Sequence, residues 1–386
     1  MLQYYRQKLL SIGCRRTKKG LDRPSQWDQS WNHSLKKIIV VSFGQDMKTI
    51  VVPLLRTENS IDVVGPIEIL AKTRVLWSQL NEGRSSRPLF DVQTVAENRK
   101  PIRYANGITL HPSVTLNSVK PDLIVVPSID DEIDSALEKN RSYVDWVKES
   151  FKHGAHVSSL CTGAFVLGAS GVLDGKRATT HWLFADEFRR RFPRVTLQER
   201  HMIVDEGDVV TCGGATTFLN LVIYLIEKYF NHDLAVYASK MFLIDMDRPS
   251  QLPFKIQFPS PTYGEHAIAR IQPFVAEHLD AELKIDAVAR KAGMSVRNFS
   301  RRFKAATGEA FSSYLQKLRI ENAKRLLESS NFSASEIMYR VGYNDDRSFR
   351  RLFKKFTGLS PKHYRNKFKR RFPSIADALT AAGRKR

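Results

Sequence analysis

One cysteine sits where a strand should hand over to a helix. Cys161 follows the apolar run AHVSSL (Ala155 to Leu160) and precedes Thr162-Gly163-Ala164. Small residues after a nucleophile let the backbone turn sharply and expose the side chain. The aligned amides of a helix that follows would favour the thiolate. His181, twenty residues on, is far enough along the chain to return to the same end of a sheet. Asp62 can bring a carboxylate to the crevice outside the strands' carboxyl ends. Cysteine is also among the most buried residue types, so packing is the plainer use of this thiol.

A second kind of chemistry lies near the C-terminus. AVARKAGMSVRNFSRRFKAATG (Ala287 to Gly308) is answered by EIMYRVGYNDDRSFRRLFKKFTG (Glu336 to Gly358), with one extra residue between Gly342 and Phe349. Phe299 matches Phe349, Phe303 matches Phe353, and Thr307-Gly308 matches Thr357-Gly358. Each copy reads as helix, tight turn, helix. Gly293 or Gly342 supplies the left-handed exit, and Ser295, or Asn344 or Asp345, caps the next helix. That helix buries phenylalanines at helical spacing. Its other face carries Arg297, Asn298, Ser300 and Arg301 in one copy and Arg347, Ser348, Arg350 and Arg351 in the other. A cationic face on a helix packed against a small core suits a phosphate-lined groove, and arginine also pairs with guanine edges. A long helix striped with Phe311, Tyr314, Leu315, Leu318, Ala323, Leu326 and Leu327 joins the copies. One helix-turn-helix pattern is a weak signal; two on one beam are a strong one.

The elements that must hold Cys161 are strands alternating with helices. KKIIVVSF (36–43), TIVVPLL (49–55), LFDVQTVAE (89–97), DLIVVPS (122–128), AHVSSL (155–160), VTLQER (195–200), HMIVDEG (201–207) and VVTCGG (209–214) read as strands. Residues 62–80, 142–154 and 216–230 read as helices. This alternation implies a layered α/β domain with a mostly parallel sheet. His201, Met202 and Cys212 look like ordinary sheet residues. Four prolines between Asp247 and Gly264 mark a linker.

Charge divides the 386 residues in the same place. The net charge is +21, of which residues 262–386 carry +15, residues 1–36 carry +6, and 37–261 are neutral. A neutral body attached to a strongly basic domain is the signature of a nucleic-acid binder whose other half has a separate task. No run approaches the apolar length of a membrane span, and no signal peptide is visible. Three cysteines show neither a disulfide framework nor zinc spacing, which points to a reducing, cytoplasmic location.

From near Tyr263 to near Phe368, closing on GYNDDRSFRRLFKKFTGLSPKHYR (Gly342 to Arg365), the chain resembles the DNA-binding domain of the AraC/XylS family of bacterial regulators. The resemblance implies two recognition helices in successive major-groove segments. Arg297, Ser300 and Arg301, then Arg347, Ser348 and Arg351, take the base-reading positions. DVVGPIEIL (Asp62 to Leu70) and CTGAFVLGASGVLDGKRATTHW (Cys161 to Trp182) resemble the PfpI/ThiJ branch of the class I glutamine-amidotransferase-like superfamily. On that likeness Asp62 is the acidic partner of Cys161, and Glu68 a more distant second choice. Thr162 stands where family proteases carry histidine, and the His-x-Glu pair of true amidotransferases is missing. Isonitrile-hydrating members do combine Asp, Cys and Thr.

Together the two halves resemble the GlxA-like regulators. The expected fold is α/β plus all-α: a flavodoxin-like α/β sandwich with a parallel sheet, then a double helix-turn-helix domain. The expected plan is a basic, flexible tail (1–36), an α/β ligand-sensing domain (37–246), a linker (247–264), an AraC-type domain (265–368) and a basic tail (369–386). The resemblance implies a cytoplasmic, nucleoid-associated transcription regulator that binds double-stranded DNA, dimerises and contacts RNA polymerase. It would sense an amino acid, betaine or carnitine-like metabolite around Asp62, Cys161, Thr162 and His181, with no cofactor, metal or catalysis. The alternative is a cysteine-dependent hydratase or amidase fused to a DNA-binding domain.

Overall fold

The structure, a computed structural model, describes residues 48–80, 90–256 and 265–369. The expected tail (1–36), the strand read at 36–43, residues 257–264 of the linker and most of the final tail lie outside the described residues.

The N-terminal half is built on a seven-stranded sheet. In spatial order its strands are Ile203–Asp205, Val209–Cys212, His156–Ser159, Leu123–Val126, Lys48–Pro53, Phe90–Ala96 and Val114–Thr115. All neighbours are parallel except the hairpin of 203–205 with 209–212. Leu123–Val126 is buried at every position, as a parallel strand covered on both faces must be. The helix Ile61–Leu80 packs with Phe218–Tyr229 and His232–Phe242. A separate apolar cluster gathers Ile133, Val144, Val147, Phe165, Leu167 and Phe188 from four other helices. The chain winds outward in both directions from Lys48–Pro53, so the crevice of an open α/β sheet falls beyond its carboxyl end.

One expectation is corrected here. The strand read at 195–200 shrinks to Thr196–Leu197, which pairs with Arg177–Ala178 in a small sheet of its own. Farther along, backbone acceptors are taken by a different segment. Arg200 O accepts the Gln251 amide and the Ser250 hydroxyl, and Glu199 O and His201 O accept the Gln251 side chain. Correspondingly, the first part of the stretch read as a linker (247–264) is bonded to the α/β half. Ser250 bridges to His201, and a 3₁₀ turn, Leu252–Phe254, follows.

The C-terminal half has two small cores strung on one helix, Phe311–Ser329. Phe311, Tyr314 and Leu315 join Phe299 and Phe303 in the first; Ile320, Ala323 and Leu327 join Phe349, Phe353 and Tyr364 in the second. Each fully buried phenylalanine is worth about 1.5–3 kcal/mol over exposure, so the pair in each copy is what seats the cationic helix. Both copies cap alike. Ser295 accepts from Asn298 N, and Asp345, not Asn344, accepts from Ser348 N. Gly308 and Gly358 close the helices at φ 78° and 73°. Thr307 and Thr357 turn their hydroxyls back to Phe303 O and Phe353 O, at 2.7 and 2.8 Å.

Candidate functional site

Cys161 lies two residues past the end of strand His156–Ser159, in a left-handed conformation (φ 52°). A non-glycine residue held there stores strain that neighbouring structure must impose. Its amide is held by two carbonyls, Cys212 O at 3.2 Å and Gly213 O at 3.0 Å. Gly163 makes the turn possible, since a Cβ there would sit 2.4 Å from Pro127 O and 2.8 Å from Val126 O. Ala215, three residues past the end of the neighbouring strand Val209–Cys212, is also left-handed (φ 52°). Its amide and that of Thr162 point at the Cys161 sulfur and draw its pKa down.

They do not win. Burial dominates, the Asp62 carboxylate adds to it, and the thiol is pushed up to about 11. The expected thiolate at a helix N-terminus is therefore corrected. The helix that follows, Gly163–Ala169, has only seven residues, and its end-charge is outweighed by desolvation. Part of the Cys161 surface still reaches solvent.

Asp62 is buried in the first turn of Ile61–Leu80, and its Oδ1 has no hydrogen-bond partner among the described residues. Burial pushes this carboxyl up, opposed by the nearby Ser128 hydroxyl. Glu68, the second choice, is exposed and paired with Lys72 at 3.1 Å, which removes it from the crevice. Thr162 is anchored to the neighbouring loop: its hydroxyl donates to Ile129 O (2.6 Å) and accepts from Ile129 N (3.0 Å). It braces the elbow, and the same hydroxyl helps to draw the Cys161 pKa down.

His181 caps a turn, with Nδ1 accepting from Leu183 N at 3.1 Å. That bond places the proton on Nε2 of the neutral ring. Burial lowers its pKa, against a nearby Asp131. The ring lies on Gly214, where an added Cβ would be 1.4 Å from Cδ2. Just before it, Thr180 donates to Cys161 O at 2.9 Å. Asp62 thus lies close enough to act on the Cys161 sulfur, and the His181 segment is tied to the same elbow through Gly214 and Thr180. Cys212 is wholly buried, its S–H directed at Thr217 Oγ1 (3.1 Å) and its pKa pushed up to about 12.

One member of this neighbourhood carried no sequence signal. Gln251, from the supposed linker, is buried against Gly213 and Gly214. Its Nε2 donates to Thr180 O at 2.9 Å and Thr179 Oγ1 at 3.2 Å, while Oε1 accepts from Gly214 N at 3.3 Å.

On the basic half, Arg297, Arg301, Arg347 and Arg351 are exposed and have no ion pair within 4 Å among the described residues. Arg301 also donates to Asn298 Oδ1 at 3.1 Å, ordering both side chains. Arg350 is engaged by Asp346 at 2.6 Å, and the Ser300 hydroxyl returns to Val296 O at 2.8 Å. Ser348, half-buried, gives its amide to the Asp345 cap. The reading face thus divides into guanidiniums without an ion pair among the described residues, of which Arg301 is bonded to Asn298, and residues more tightly engaged within their own helix.

Three or more acidic, histidine or cysteine side chains placed to hold a metal do not occur among the described residues. Nor is any described helix long and apolar enough to cross a membrane.

Residues 48–228 match the DJ-1/PfpI family, and residues 288–367 match a helix-turn-helix domain. The HTH-type transcriptional regulator CdhR of Pseudomonas aeruginosa is 22% identical over 343 residues, spanning 88% of this chain and 97% of its own. The regulator GlxA of Rhizobium meliloti is 27% identical over 245 residues, 61% of this chain and 71% of its own. An isonitrile hydratase of Pseudomonas putida is 28% identical over 178 residues, 46% of this chain and 70% of its own.

Proposed function

We propose that this chain, a DNA-binding transcription regulator joining a DJ-1/PfpI domain to an AraC-type helix-turn-helix domain, is governed by a small nitrogenous metabolite held at the Cys161 crevice. The observation that carries the DNA-reading part of the proposal is the pairing of exposed guanidiniums at equivalent positions, Arg297 with Arg347 and Arg301 with Arg351, on two helices seated by matching phenylalanine pairs. These four arginines meet the bases and phosphates of duplex DNA, with Asn298, Ser300, Ser348 and Arg350 at the edge of the contact. The partly open crevice holds Asp62, whose unpartnered buried oxygen suits the ammonium or quaternary nitrogen of an amino acid, betaine or carnitine-like compound. Cys161 and His181 line it, and Thr162 shapes it. Such a ligand shifts DNA binding only by its differential affinity for two arrangements of the protein. The working species is a cytoplasmic dimer whose DNA complex contacts RNA polymerase. The sensing domain extends over 37–246 and the reader over 265–368.

Selection of duplexes from a random library, followed by footprinting, tests the reader. Arg301→Ala and Arg351→Ala should each relax one base position, and unchanged footprints in both variants would reject the assignment. Thermal shift of the full chain against amino acids, betaines and carnitine tests the sensor, since a ligand of the folded state raises its apparent stability.

A second reading makes the crevice an active site for isonitrile or amide hydration. The strained Cys161 and the similarity to an isonitrile hydratase favour it; the thiol's upward shift and the locked Thr162 weigh against it. Turnover that disappears in Cys161→Ala while DNA binding persists would establish the enzyme.

A further inference from the structure

Between the crevice and the reader runs a strap of six residues, Ser250 to Lys255, anchored at both ends by buried polar contacts. At its sensor end, Gln251 supplies the bonds to Thr179, Thr180, Glu199, His201 and Gly214. Gly213 must be glycine-small here, because a Cβ would lie 2.4 Å from the Gln251 side chain. Gly214 carries the His181 ring, and the next residue, Ala215, aims its amide at the Cys161 sulfur. Any group that enters beside Cys161 therefore presses on the same three-residue turn that Gln251 holds.

At its reader end the strap meets the second helix-turn-helix unit. Lys324, buried within the long helix, gives one bond to Glu321 (2.8 Å) and another to the carbonyl of Lys255 (2.7 Å). Leu252 packs on Gly358, at the end of the second cationic helix. Phe254 meets Phe368 edge-on at 5.5 Å and lies under the Lys367 ammonium at 5.2 Å. Lys255 also ties back to Glu199 at 3.1 Å, so one residue bonds both halves.

A buried lysine is costly unless its hydrogen bonds are supplied, and a buried carboxamide surrounded by carbonyls is held in one orientation. The strap cannot shift at one end without breaking bonds at the other. We infer that Ser250–Lys255 is the element through which the Cys161 crevice and the second helix-turn-helix unit sense each other, with Gln251 and Lys324 as its positioning residues. The inference rests on the effector reading of the crevice, yet its physical content is a coupling between two places in the molecule. Coupling is reciprocal, so DNA bound at the reader must alter the crevice just as a ligand in the crevice alters the reader.

That reciprocity permits a test without any effector. The full chain is alkylated at Cys161 with iodoacetamide at pH 9, with and without a saturating duplex selected by the wild-type protein, and modification is followed by peptide mass spectrometry. The duplex should change the Cys161 rate about fivefold or more, the lower end of usual coupling. Gln251→Ala and Lys324→Met should bring that ratio to near one while both still bind the duplex. Leu137→Ala, which loosens an apolar contact remote from the strap, serves as a control for general destabilisation and should keep the wild-type ratio. A wild-type rate indifferent to DNA, a ratio that survives in both strap variants, or a ratio lost equally in Leu137→Ala would each overturn the inference. Since no metabolite enters the experiment, its failure leaves the sensing proposal standing, and an empty ligand screen leaves the coupling standing.

Discussion

The ionisation of Cys161 separates a sensing crevice from a catalytic one, and its size follows from the surroundings of the sulfur. Burial raises the thiol from an ordinary value of 9.0 to about 11, with Asp62 adding to the effect and the Ala215 and Thr162 amides opposing it. At pH 8 an unperturbed thiol of that kind is about 10% thiolate, and one at about 11 is about 0.1%. The thiolate is the reacting species. Alkylation of Cys161 at pH 8 should therefore run about 100-fold below a model thiol, before any steric hindrance is counted. Its rate should climb about tenfold per pH unit up to about pH 10 and level off only above about pH 11. The sign for stability follows from the same shift. The folded thiol holds its proton more tightly than the unfolded one, so the stabilisation is complete below about pH 9 and is lost as pH rises toward about 11.

The assay is iodoacetamide labelling between pH 6 and 11, with the Cys161 peptide quantified by mass spectrometry and unfolding followed in parallel to mark the upper limit. Asp62→Asn removes a negative charge beside the sulfur and should move the profile to lower pH; His181→Gln, with the ring already neutral, should move it little. A rate that levels off with an apparent pKa at or below 8 would refute the argument. It would mean that the amide dipoles of the elbow outweigh burial, and it would favour the enzyme.

The other cases turn on similar local contrasts. Arg301→Ala and Arg351→Ala should each cost about 1–3 kcal/mol at one base position if the guanidinium reads guanine, seen as relaxed preference in a binding-site selection. Arg350→Ala should cost less at every position, because its partner Asp346 already holds it. Gly163→Ala should destabilise the protein by about 1–3 kcal/mol or more in urea unfolding, since the new methyl meets main-chain oxygens that cannot rotate away.

The duplicated unit was legible in the sequence because its signals are local. Phenylalanines at i and i+4, a glycine at a left-handed exit and a cap three residues before an orphan amide all lie within one turn of each other. The choice of Asp345 over Asn344 as cap was left open there, and backbone direction decides it. The cysteine elbow was legible for the same reason, through the small residues after Cys161. Its electrostatics were not: helix dipoles can be read from sequence, but the desolvation that overcomes them comes from strands and turns far along the chain. Glu68 and Asp62 look interchangeable on one helix until the face that packs is known. Gln251 left no trace, because a proline-rich stretch reads as linker whether or not its side chains find carbonyls to bind. The helix His232–Phe242 starts two residues after Phe230, capped by Asn231, and this change of phase interrupts the apolar period that marks its predecessor.

Two readers on one beam are useful only if their spacing is rigid, and the structure concentrates that rigidity in Arg319. It sits on the long helix where one small core ends and the other begins, donating to Leu279 O at 3.0 Å and Ala281 O at 2.7 Å. Its guanidinium lies 5.4 Å from the centre of the Tyr343 ring, and Gly342 leaves no room for a Cβ beside it. One side chain thus binds the loop before the first helix-turn-helix to the turn inside the second. Arg319→Ala would leave two carbonyls short of a charged donor, at about 1.5–3 kcal/mol for each such bond. The loss falls between the units, not within either core. Each unit should therefore still bind a duplex carrying its own half-site with near wild-type affinity, while affinity for the full site drops about tenfold or more as the fixed spacing is lost. Gel-shift titrations with half-site and full-site duplexes, at one salt concentration, measure both. Equal losses on the two duplexes would mean that Arg319 merely supports folding, and an unchanged full-site affinity would mean that the long helix alone sets the spacing.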